Sequence, residues 1–165
     1  MVLQKYVAKS GRIPFDEWIV GLSSVMRARV YANLARIEAG NVGNVKPIAN
    51  ASGIKERKMT MALAVDYKEG VLKDLREDPA MAREYYREAV RAIVNGDTAT
   101  GGIMFRDLVN AGIGFQRLAQ ETGIRAPNLH RVLSPGGNPT VRTFGKVAAA
   151  VAAFMGMPNP MSVFT

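Results

Sequence analysis

The chain has 165 residues, 48% of them hydrophobic, enough to fill the core of one ordinary domain or two small ones. Its 22 Lys and Arg against 14 Asp and Glu give a net charge of +8, which favours an anionic partner, nucleic acid first among them. With no Cys and a single His130, disulfide frameworks, thiol nucleophiles, thiolate zinc sites and multi-histidine clusters are excluded.

No catalytic residue, metal or cofactor is therefore expected. No apolar run approaches the roughly 20 residues of a membrane span, and Met1 to Lys9 lacks the continuous apolar stretch of a signal peptide. These features predict a cytoplasmic protein without a membrane partner. The charge is uneven: residues 1–57 hold 9 basic and 4 acidic side chains, 58–114 hold 8 and 9, and 115–165 hold 5 and 1. The positive charge thus collects toward the two ends.

Val2 to Lys9 mixes β-branched, aromatic and polar residues and stops at Ser10-Gly11, the pattern of a short strand. Pro14 suits a first helical turn, after which Phe15, Trp18, Ile19 and Leu22 share an apolar face. Trp18 and Phe15 read as core rather than as a base-stacking platform. Ser23 or Ser24 can cap a second helix, which separates Val25, Ala28, Ala32 and Ala35 from the basic Arg29 and Arg36 before Gly40-Asn41 ends it. Turn-rich stretches follow over 41–47 and 50–53.

From Val65 onward the pattern is helical. Asp66 to Glu77 is an amphipathic helix, and Asp78-Pro79 caps and opens another that runs to Asn95-Gly96. A third starts over Asp97 to Thr100, places Ile103, Leu108 and Val109 inside, and ends at Gly112. The boundary between two units falls near residues 58–64: a segment 1–58 and a helical domain 59–165.

Function is carried by residues 114–134, which read as helix, tight turn, helix. Leu118 and the small Ala119 lie on the first helix, and Gly123 stands where the chain leaves it and needs a permissive backbone. Ile124 fills the elbow, Pro127 lies in the opening turn of the second helix, and Leu129, Val132 and Leu133 form its buried stripe. Arg125, Asn128 and Arg131 are left facing out. Arg can fork onto guanine O6 and N7 and Asn onto adenine N6 and N7, so this outward set suits a helix seated in a major groove. Ala126 and His130 lie on the same short helix. Arg117, Arg142 and Lys146, on the flanking helices, sit where a docked unit of this kind meets phosphates. The second helix leads into Ser134-Pro-Gly-Gly-Asn-Pro139, then Thr140 as a cap for a helix from Val141 to Phe154.

This order resembles the Cro-like, XRE-type helix-turn-helix family, and more closely its HigA-type antitoxin branch. Those proteins carry a turn like Leu133-Ser-Pro-Gly-Gly-Asn-Pro-Thr140 after the recognition helix. Met61-Ala-Leu-Ala-Val-Asp-Tyr-Lys-Glu69, Asp78-Pro-Ala80 and the 89–96 stretch resemble the leading helices of the same antitoxins. The first 57 residues resemble the beginning of HigB-type toxins of the RelE/ParE superfamily. The matching residues are Phe15-Asp-Glu-Trp18, Leu22, Arg27-Ala-Arg29, the run from Asn33 to Pro47, and Gly53-Ile-Lys-Glu-Arg57. In that family, later strands bring the residues associated with RNA cleavage, and here the chain passes from Arg57 into Met59-Thr-Met61 instead.

The resemblance implies a mainly α protein: a Cro-like helix-turn-helix bundle with a small N-terminal strand and a helical hairpin from a truncated toxin. It implies a nucleoid-associated transcriptional regulator, a homodimer on a palindromic double-stranded DNA operator, and no enzyme. The alternative is an antitoxin-like protein-binding module that neutralises a separate toxin or fills the partner site with its own fused fragment. Residual ribonuclease activity is not expected, since residues 1–57 contain no His and few carboxylates outside the helices. Arg12, Lys46, Lys55 and Arg57 could hold a phosphate without cutting it. Candidate dimer surfaces are the Ala-rich helix with Val147, Val151 and Phe154, and the helices from Val65 to Asn95.

Overall fold

The computed structural model describes residues 3–41 and 64–158. Among them are two short strands, β1 (Gln4–Tyr6) and β2 (Ala64–Asp66), and eight helices. In chain order after β1 these are α1 (Pro14–Val20), α2 (Ser24–Glu38), and, after β2, α3 (Tyr67–Glu77), α4 (Pro79–Val94), α5 (Thr98–Ala111), α6 (Phe115–Thr122), α7 (Ala126–Val132) and α8 (Val141–Phe154). The protein is mainly helical.

The helix boundaries follow local chemistry. Ser23, Asp66, Asp78, Asp97 and Thr140 each accept a backbone N–H from the first turn of α2, α3, α4, α5 and α8, satisfying donors that have no partner within the helix. Pro14, Pro79 and Pro127 occupy opening turns, where a missing N–H costs nothing. Asp66 thus stands just outside the helix it was expected to start. The N-terminal strand is shorter than the Val2 to Lys9 expectation.

Strand β1 pairs antiparallel with β2, Gln4 opposite Asp66 and Tyr6 opposite Ala64, so the start of the chain is bonded to the residues that lead into α3. The boundary expected between residues 58 and 59, the turns expected over 42–53, and Lys46, Lys55 and Arg57 lie outside the described residues. On either side of that stretch the elements share one core. Tyr31, Ala32 and Ala35 of α2 are buried in the same cluster as Val71 and Leu75 of α3, Tyr85 and Ala89 of α4, and Met104 and Phe105 of α5. This core continues through Leu118, Leu129 and Leu133 to Phe144, Val147 and Val151 of α8. Tyr86, Phe105 and Phe144 meet edge to face, with centroids 5.5 and 5.3 Å apart.

Paired charges secure the α1–α2 hairpin to the helical body. Arg27 lies between Asp74, at 3.3 Å, and Asp78, and the Tyr31 hydroxyl donates to Asp74 at 2.9 Å. Tyr67 donates to Glu38 at 2.5 Å, while the Lys68 ammonium bridges Glu38 at 2.9 Å and Asp107 at 2.7 Å. Burial pushes the Asp107 carboxyl above its ordinary value even though Lys68 and Tyr85 both donate to it. Asp78 is the opposite case: burial works to raise it, but bonds from Ser24 and the Met81 amide, with Arg27 alongside, hold it below the usual range.

Three expectations are corrected here. Trp18 is not core. It is 53% exposed and lies 5.8 Å, tilted, from the half-buried Phe15, because the seven-residue α1 buries only Ile19 and the neighbouring position turns away from the body. Val25 likewise stays exposed at the start of α2, while Ala28, Ala32 and Ala35 are buried as expected. The dimer face drawn along α8 is also largely consumed, since Val147 and Val151 are buried within the protomer and only Phe154 remains 47% exposed.

Candidate nucleic-acid interface

The pairing of α6 with α7 is set by an elbow four residues long in its effects. The Thr122 hydroxyl donates to the Leu118 carbonyl at 2.7 Å and accepts the Ile124 N–H at 3.3 Å, so one side chain closes α6 and starts the turn. Gly123 follows in the left-handed region at φ +67, its N–H bonded to the Ala119 carbonyl. Lys146 of α8 donates to the Thr122 carbonyl at 3.0 Å, placing a positive charge against the negative end of α6.

Helix α7 buries Leu129 and Leu133 completely and Val132 in part, as the stripe predicted. Its other side is therefore presented outward. Arg125, Pro127, Asn128, His130 and Arg131 are exposed, and Ala126 is partly so. Arg125, Asn128 and Arg131 stand three residues apart and run along one line of that outer face. Among the described residues the side chains of Arg125 and Arg131 have no ion pair or hydrogen bond. The helix is closed by the Ser134 hydroxyl on the Arg131 carbonyl at 2.7 Å and by the Gly137 N–H on the Ser134 carbonyl at 2.8 Å. A Cβ at Gly137 would lie 2.2 Å from the Val132 carbonyl oxygen, so this turn admits no side chain there.

The flanking basic residues separate in role. Arg142, in the first turn of α8, is exposed and unpartnered. Arg117, on the exposed side of α6, lies 3.8 Å from Glu121 and 5.8 Å from the Phe154 ring centroid, both loose and solvent-facing. Lys146 is exposed but spends one donor on α6. Glu121 is the only acidic residue in 115–165 against five basic ones, so the segment that carries α7 is strongly positive.

The sequence reading missed one residue of this region. Arg106 of α5 donates to the His130 carbonyl at 3.4 Å and lies 5.9 Å from the centroid of the Phe115 ring. The His130 ring stacks on the other partner of that contact, Phe115, at 3.7 Å and 19°. His130 is thus exposed but covered on one ring face. The adjacent charges Arg106 and Asp107 in the otherwise apolar run from Ile103 to Val109 were the only available signal. Its partner is 24 residues away, a separation that no periodicity reports.

Among the described residues, no helix is long and apolar enough to cross a membrane. No known protein family, curated protein or solved structure matches this chain.

Proposed function

We propose that the protein is a sequence-specific DNA-binding regulator of Cro-like helix-turn-helix type, a repressor of the toxin–antitoxin class that acts in the nucleoid. The observation behind this reading is the row Arg125, Asn128, Arg131: exposed, free of protein partners among the described residues, and opposite the buried Leu129 and Leu133. A helix carrying such a row can enter a major groove about 12 Å wide. There the guanidinium and amide groups make bidentate contacts with base edges, while Arg117, Arg142 and the remaining donors of Lys146 hold phosphates. Bound as a homodimer, two such helices address half-sites of a palindrome about one turn apart.

Selection of genomic fragments by the purified full chain tests this. A recovered palindrome, shifted in an electrophoretic assay and enriched upstream of the protein's own gene, is the expected outcome. Recovery of unrelated sequences in proportion to their abundance contradicts it. No catalytic step is assigned to the toxin-like segment, and expression of the chain is expected to leave growth and messenger RNA intact.

A second reading is favoured by the docking of α2. Arg27, Tyr31 and Glu38 engage Asp74, Asp78, Tyr67 and Lys68, contacts consistent with a fused fragment seated on the surface that this reading reserves for a separate protein partner. On this reading the chain is an antitoxin-like module occupied in cis, and it would capture a free toxin only after the hairpin is displaced.

A further inference from the structure

The basic face of α2 takes no part in the interface around α7, and the structure gives it a shape. Arg29, Asn33 and Arg36 lie along one side of α2, and with Ala32 and with Glu88 of α4 they line an open groove of about 170 Å³. Arg36 donates to the Asn33 side-chain amide oxygen, Oδ1, at 3.1 Å, a neutral contact that leaves its charge uncompensated. Arg29 has no partner among the described residues. The one carboxylate at the groove, Glu88, is already held by Arg91 at 2.6 Å. Of the arginines of α4, Arg91 is exposed and turned to Glu88, whereas Arg83 and Arg87 line a separate pocket with Gly156, Met157 and Pro158. Arg29 and Arg36 thus face no free acid in the groove, since Glu88 is taken by Arg91.

We propose that the α2–α4 groove binds phosphates of a DNA backbone, independently of base sequence. Arg29 and Arg36 are seven positions apart, about 10 Å along the helix axis, which a single anion does not bridge but a polyanion does. Two guanidiniums and an amide offer several donors in fixed directions, the arrangement that phosphate oxygens accept best. The groove stands on its own geometry. Only the choice of duplex DNA as the polyanion rests on the reading of α7 given above.

The test is fluorescence anisotropy of the full chain on a labelled duplex of random sequence, over a series of salt concentrations. Arg29→Ala/Arg36→Ala should lower the slope of log affinity against log salt by about 1.8, two contacts at about 0.9 each. Arg29→Lys/Arg36→Lys, which keeps the charge, should restore most of it. The same decrement should appear when the pair is added to Asn128→Ala/Arg131→Ala, so a failure of α7 to read bases leaves this result standing. An unchanged slope overturns the proposal, as does a lysine pair that loses as much as the alanine pair. Tighter binding of an RNA hairpin, lost in the alanine pair, overturns the assignment to DNA. Inorganic phosphate binding that the alanine pair abolishes without any change on the duplex overturns the polyanion.

Discussion

The seat of the α1–α2 hairpin and the outer face of α7 are both rich in charge, and the fold treats them in opposite ways. At the hairpin, Arg27, Lys68, Glu38, Asp74, Asp78 and Asp107 are drawn below the surface and matched with one another or with tyrosine hydroxyls. Around α7, Arg125, Arg131 and Arg142 stand in solvent without protein partners among the described residues, and the exposed Glu121 pairs only loosely, with Arg117. Matched, half-buried charges specify how two segments of one chain fit, because removing either partner strands the other. Unmatched, exposed charges contribute almost nothing to the fold and remain free for an anionic partner.

The contrast is broken most severely at Asp78, which caps α4 and holds Arg27. Asp78→Ala should cost about 2–3 kcal/mol of unfolding free energy in denaturant titrations, combining a lost cap with a stranded guanidinium. Arg27 already has one buried Nε without a partner, so it has little to fall back on. Sequence preference on DNA should be unchanged. Gly123→Ala comes next: a Cβ there meets no atom within 4 Å, so the cost is the left-handed backbone alone, about 1 kcal/mol.

Acid should separate the two regions as well. The Asp78 carboxyl is lower in the folded chain than in the unfolded one, so its contribution is complete above the ordinary carboxylate range, near pH 4, and fades as pH falls through the folded value. Thermal midpoints should therefore fall more steeply below about pH 4 in the wild type than in Asp78→Asn, which keeps the cap and removes the titration. Parallel curves would place the acid sensitivity elsewhere. The smallest effect belongs to Arg142→Ala. Stability should stay within about 0.5 kcal/mol, while the salt slope of binding to every duplex drops by about 0.9.

Local features carried much of this to the sequence reader. Caps at Asp78, Asp97 and Thr140, the elbow glycine and the Leu129/Leu133 stripe are each readable within a few residues, because they depend on one side chain and the adjacent backbone. What escaped is set by distant partners. Nothing near Gln4 announces its pairing with Asp66, and nothing near Arg106 announces His130. Trp18 misled because a helical face says which residues lie together, not how much of that face a seven-residue helix buries. The inside of α8 stood as one of two candidate dimer surfaces for the same reason: Val147 and Val151 are apolar at helical spacing whether the covering layer is the same chain or a second one.

The central claim is that α7 reads bases while α8 holds the backbone. It is tested most directly by measuring affinity for the selected operator and for a scrambled duplex, with Arg131→Ala and Arg142→Ala, at several salt concentrations. Arg131→Ala should lose about 1–3 kcal/mol of discrimination between the two duplexes, and Arg142→Ala should weaken both alike. An Arg131→Ala protein that keeps the wild-type ratio of operator to scrambled affinity would show that α7 is not the reading helix.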